Sequence, residues 1–286
     1  MNVWRLAVAF LAVGLSGKAC TNPRTQIRIP VPIRACVVQG GPWTTSGSAF
    51  GASGFVSETM DQVNAIWNAA GIAFLALPDP RVIDDPQPPG MALDVPPFVA
   101  KGMPGDIRVD DMRGFGSDEA QAVVEECDEA WNPGVARDAQ PGFTVVFVRE
   151  LIWTDGGPTP QGGYSADLSS VYRNRPQDLC HEPYNIVRAD VAGRWSIIET
   201  FDRNFGGRPP NFAAIAAHEL GHDLLLRHGD GVDNDQNGVW DEFCDPNEID
   251  GGSSLMDVFP GTSTTVGLSQ RRLARAAALV VPTANP

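Results

Sequence analysis

Three of the four histidines in the chain fall between positions 218 and 228, in His218-Glu219-Leu220-Gly221-His222-Asp223-Leu224-Leu225-Leu226-Arg227-His228. On a helix His218 and His222 lie one turn apart on the same face, where their imidazoles can share a tetrahedral Zn²⁺. Glu219, beside the first of them, can reach a metal-activated water and take its proton as general base. These residue types at this spacing are suited to metal-assisted hydrolysis. Zinc held by neutral imidazoles keeps one position for water, lowers its pKa toward about 7 and polarises a carbonyl brought beside it.

A helix must present these side chains, and the residues before them predict one. Pro209-Pro210 is followed by Asn211 as N-cap and by the Ala-rich run Phe212-Ala213-Ala214-Ile215-Ala216-Ala217. A sheet is expected beneath it. Residues 27–38 are β-branched and partly alternating and read as a first strand, with Pro30 and Pro32 placing its start at an edge. Ser57 is expected to cap a helix carrying Met60, Val63, Ile66, Trp67 and Ala70, stopped by Gly71 before an apolar strand over 72–77. Residues 78–111 are rich in Pro, Gly and Asp and read as an insertion or long loop, with a short strand at 106–109. Ser117 opens a helix to about Trp131, with Val123, Val124 and Cys127 inward. The continuous apolar run 143–148 is the strongest strand signal and belongs at the centre of the sheet. Residues 155–165 read as a loop leading into an edge strand, and 194–199 as another strand. An open edge beside the zinc cleft could hold an extended peptide by β-augmentation, against the plainer reading of a surface loop.

The ends of the chain bear on where it works. Arg5, an uncharged apolar run over 6–15 and the small residues Gly17 and Ala19 make residues 1–19 a signal peptide, too short for a membrane span. The protein is therefore expected to be secreted or extracytoplasmic. Cys20 leaves two readings, cleavage before it or lipidation on it as a cell-surface anchor. Without it, Cys36, Cys127, Cys180 and Cys244 are an even set that in an exported protein forms two disulfides, in any of three pairings. A formal net charge of −14 argues against nucleic acid or anionic lipid, and 43% hydrophobic residues support a real core in one large domain, 20–286. His181, beside Cys180, reads as a surface or packing residue.

With the third histidine six positions after the second, the chain resembles the metzincin zinc peptidases, whose extended signature is HExxHxxGxxH. Ser254-Leu255-Met256-Asp257 resembles their Met-turn, and residues 268–279 their closing helix. The resemblance implies an α+β, metzincin-like fold: a twisted mixed sheet on an active-site helix and a second helix, over about 26–228. A smaller C-terminal subdomain over 229–286 would hold the Met-turn and a C-terminal helix. It further implies that His218, His222 and His228 bind catalytic zinc, that Glu219 is the general base, and that Met256 supports the site without ligating it. Two positions depart from the family pattern. Leu225 stands where the family has the glycine that lets the helix turn sharply, a left-handed position costing leucine about 1–2 kcal/mol; Asp230 and Glu248 are the alternative third donors. Val258 stands where some metzincins carry a tyrosine. No cysteine-switch segment is recognisable, which leaves the means of latency open.

After His228, Asp233, Asp235 and Asn237 match the first three ligand positions of an EF-hand-type loop, Gly238 its turn and Val239 its carbonyl ligand. Position twelve is Cys244, so Asp241 or Glu242 would have to close the shell. Structural Ca²⁺ is expected here, against a bland acidic turn. The chain as a whole therefore reads as a monomeric secreted zinc endopeptidase acting on protein or peptide. The alternative is a catalytically inactive metzincin-fold module that binds calcium and protein outside the cell.

Overall fold

The computed structural model describes residues 28–39, 51–84, 106–109, 118–153, 163–165, 188–200, 211–226, 255–256 and 263–283. It is a mixed α/β structure on a largely parallel sheet, compatible with the α+β class expected. Strand β1 (Ile29–Val38) lies between β2 (Ile72–Ala76) and β5 (Phe143–Val148); β8 (Trp195–Glu199) follows, and β7 (Gly163–Ser165) closes the far edge as the one antiparallel member. β3 (Arg81–Ile83) continues the β2 side of β1, and β4 (Asp106–Val109) pairs with β6 (Glu150–Trp153) in a separate two-stranded sheet. Four helices longer than one turn occur among the described residues: α1 (Gly51–Trp67), α2 (Asp118–Trp131), α4 (Phe212–Asp223) and α5 (Leu268–Val280); α3 (Arg188–Val191) is a single turn. None is long and apolar enough to cross a membrane.

The apolar run 143–148 is buried along its whole length at the middle of the sheet, as its composition requires. One face, through Val31, Ile33, Val37, Val145, Phe147 and Ile198, packs on α1, α4 and α5. The opposite face, through Cys36, Val38, Val146, Val148 and Ile197, packs on Val123, Val124 and Cys127 of α2. A Cys36–Cys127 disulfide bridges β1 and α2, fixing one pairing that spacing left open. Beside it the fully buried Arg34 meets Asp128 at 3.4 Å, and Asp128 also takes Arg137. Cys20, Cys180, Cys244 and His181 lie outside the described residues.

Two expectations change and one holds: β1 is interior over its later residues, but its start borders β2 alone, the edge position that its prolines require. Ile29 donates to Gly71 and Ile33 accepts from Leu77, so alternate residues from Ile29 face β2. Pro30 and Pro32 therefore turn their missing N–H toward β5, where pairing begins only at Ile33. The first helix begins at Gly51, six residues before Ser57, which is exposed within it; it ends through a short 3₁₀ turn at Gly71, as expected, with φ 66°. The segment 78–111 holds β3 as well as the expected β4, because Asp79 at φ 59° redirects the chain along β1.

Candidate metal centre and general base

Helix α4 delivers the motif. Asn211 is its N-cap by position, and its carbonyl accepts from Ala214 and Ile215, while its side chain makes no capping bond. At the other end Leu225 adopts φ 64°, a left-handed conformation that turns the chain sharply out of the helix. Leu225 N–H donates to His222 O at 2.9 Å and Leu226 N–H to Gly221 O at 3.0 Å. These two bonds make a Schellman ending, so the helix stops at Asp223, one residue after His222, with Leu224 as its C-cap. Leu225 and Leu226 are both fully buried in the main core.

The imidazoles are fixed by carbonyls. His218 Nδ1 lies 2.8 Å from Leu255 O, and His222 Nδ1 lies 2.7 Å from Leu226 O. A carbonyl only accepts, so each Nδ1 carries the proton and, in a neutral ring, each Nε2 presents a lone pair. The two Nε2 atoms face each other at 3.1 Å, with the rings near perpendicular. Two such lone pairs repel unless something positive lies between them, either a proton on a half-charged pair or a cation. Two ligands of one tetrahedral zinc stand about 3.3 Å apart for Zn–N bonds of about 2.0–2.1 Å, so the donor pair fits a metal. Carbonyl partners of this kind are the usual way a protein orients metal-binding histidines.

Glu219 lies against the sheet edge. Its carboxylate accepts from Ser165 Oγ of β7, and a methyl group on Gly163 would overlap its side chain. Burial pushes its pKa up to about 8, opposed by the Ser165 hydrogen bond and reinforced by Asp223. Asp223, one turn on and fully buried, accepts from Ser196 Oγ at 2.7 Å. Burial pushes it up to about 7, opposed by the Arg194 guanidinium and the Ser196 bond. Arg194 Nη2 donates to His222 O at 3.4 Å, placing a cation at the negative end of the helix.

Beneath the helix sits the turn at Leu255–Met256. Met256 is fully buried, and its sulfur occupies the space that a side chain at Gly221 would need. Glycine inside the motif thus admits the methionine, while Leu255 supplies the carbonyl that holds His218. Trp67 of α1 donates Nε1–H to Ala217 O at 3.1 Å and lies beside Met256 against Gly221.

His218, Glu219, His222 and Met256 are therefore brought together. His228, the alternative donors Asp230 and Glu248, and the calcium candidates Asp233, Asp235, Asn237, Val239, Asp241 and Glu242 lie outside the described residues, as does Val258. Among the described residues no group of three metal-ligating side chains occurs. Sequence reasoning missed Ser165, Ser196, Arg194 and Asp223. Asp223 had a signal, a carboxylate one turn after Glu219 in an apolar helix; the two serines had none before the β7–β8 pairing was known. No protein-family model and no curated protein matches the chain.

Proposed function

We propose that this chain is a secreted zinc endopeptidase of the metzincin kind. The observation that carries the reading is the pair of imidazoles with both Nδ1 atoms tied to carbonyls and both Nε2 atoms converging at 3.1 Å, on the helix that carries Glu219. His218 and His222 would hold the metal together with His228, which the motif spacing supplies. Bound there, Zn²⁺ supplies a Lewis acid for the peptide carbonyl and acidifies water. Glu219 takes the proton of the attacking water and returns it to the leaving amine. Ser165 holds the carboxylate that does this, and Leu255 and Leu226 keep the imidazoles in the tautomer that leaves Nε2 for metal. The short antiparallel strand β7 at the sheet edge supports an extended peptide as substrate, aligned by backbone pairing. Structural Ca²⁺ in the 233–242 loop belongs to the same reading and rests on the ligand pattern alone.

The test is cleavage of an unfolded protein or a peptide library by purified chain, with and without a zinc chelator, beside Glu219→Ala. Cleavage that the chelator abolishes and that falls by at least about a hundredfold in Glu219→Ala is expected, since a lost general base costs on the order of 10²–10⁴. Folded, zinc-bound chain without chelator-sensitive cleavage would move the assignment to the inactive extracellular binding module.

A further inference from the structure

We infer that Ser165 is a positioning residue for Glu219, and that the β7–β8 edge is built to hold the general base in one rotamer. This rests on the reading of Glu219 as general base. Three observations on different elements carry it. Ser165 Oγ of β7 donates to the Glu219 carboxylate and also lies 3.2 Å from the Glu219 carbonyl, so one hydroxyl touches both ends of the residue. Its cross-strand partner in the β7–β8 register is Ser196, with the two hydroxyl oxygens 3.1 Å apart. Ser196 in turn donates to Asp223 Oδ2 at 2.7 Å and lies 3.3 Å from the Glu219 carbonyl. The carboxylates one turn apart on α4 are therefore matched to two serines side by side on the sheet. Gly163 completes the arrangement, because any side chain there would occupy the Glu219 position.

The chemistry gives this consequence. A glutamate has three side-chain torsions, and a general base must lie within hydrogen-bond reach of the proton it takes. Catalytic groups need placement within about 0.5 Å, and a misplacement of about 1 Å costs on the order of a hundredfold in rate. A hydroxyl has one proton to give; Ser165 gives it to Glu219 and Ser196 gives its own to Asp223, so neither serine can replace the other. Substrate binding uses none of these bonds, so loss of Ser165 should lower kcat and leave KM alone.

The experiment measures kcat, KM, zinc content and thermal midpoint for the parent, Ser165→Ala and Ser165→Thr, on a peptide that the parent cleaves in a chelator-sensitive way. Ser165→Ala should lose about tenfold or more in kcat, with KM within about twofold and zinc content unchanged. Ser165→Thr, which keeps the hydroxyl, should stay within about threefold of the parent. Were the alanine variant to lose its fold, Ser165→Cys, a weak donor of similar volume, reads the same kcat. Unchanged kcat in Ser165→Ala, or equal losses in the Ala and Thr variants, would overturn the inference while leaving the peptidase reading intact. A parent chain without chelator-sensitive cleavage overturns that reading and this inference with it.

Discussion

Leu225 sets a backbone cost against a packing gain, and the magnitudes decide why a leucine stands there. The left-handed conformation at φ 64° costs a non-glycine residue about 1–2 kcal/mol. The side chain, however, is fully buried in the main core with Leu224 and Leu226. Removing a buried leucine costs about 2–5 kcal/mol, so the packing term exceeds the strain. Glycine at 225 should therefore lower stability despite suiting the turn. Alanine should be worse than glycine by about 1 kcal/mol, because it gives up the packing and keeps the strain. Denaturant unfolding of Leu225→Gly and Leu225→Ala checks the order Leu, Gly, Ala. An ordinary helical site ranks alanine above glycine by about that margin, and that result would remove the left-handed turn from the account.

At the scale of elements, α2 is joined to β1 in three ways: the Cys36–Cys127 disulfide, the buried Arg34–Asp128 pair, and Trp131 Nε1–H donating to Ala35 O at 3.2 Å. The bridged cysteines are 91 residues apart, a loop whose closure restricts the unfolded chain by about 4–5 kcal/mol in the chain-entropy picture, with about 2–4 kcal/mol the usual yield. The Cys36→Ala, Cys127→Ala double variant should accordingly lose about 2–5 kcal/mol in chemical unfolding; a change below about 0.5 kcal/mol would mean the bridge adds nothing. The same region marks how far the sequence could be read. The mostly apolar run 143–148, the inward face of α2 and the start of α4 were legible because each rests on local composition or periodicity. Which cysteine meets Cys36 was not, since that depends on β1 and α2 packing across the sheet. Nor could β3 be recognised from Arg81, Val82 and Ile83, too short a run to show a period. At the site, the histidine spacing named the two imidazoles that converge, whereas Ser165 and Ser196 entered only through the antiparallel register of β7 on β8.

Across the whole molecule, the site is where segments distant in sequence converge: β7, β8, α4 and the Leu255–Met256 turn all touch it. That convergence buries two carboxylates, and its effect on stability has a sign. In the metal-free chain Glu219 has a pKa of about 8 and Asp223 about 7, whereas unfolded they would titrate near about 4. Between those limits the folded state binds more protons than the unfolded one, so these groups cost stability as pH rises. Their full contribution is present below about pH 4 and is lost as pH passes through 7 to 8. The groups acting on them are Ser165 and Ser196 on the sheet and Arg194 at the helix end, with Asp223 also acting on Glu219. Comparison of parent with Glu219→Gln in excess chelator isolates the glutamate, since glutamine keeps the shape of the protonated acid and the remaining groups cancel. The two should unfold at the same temperature near pH 4, and the glutamine variant should become the more stable as pH rises to 8. On the proposed zinc site, the ion favours the ionised base, so adding it should narrow that gap at pH 8, stabilising the parent by about 4 kcal/mol at a thousandfold excess over Kd. A gap in chelator that does not change with pH would show that Glu219 is hydrated and ionised in the metal-free fold.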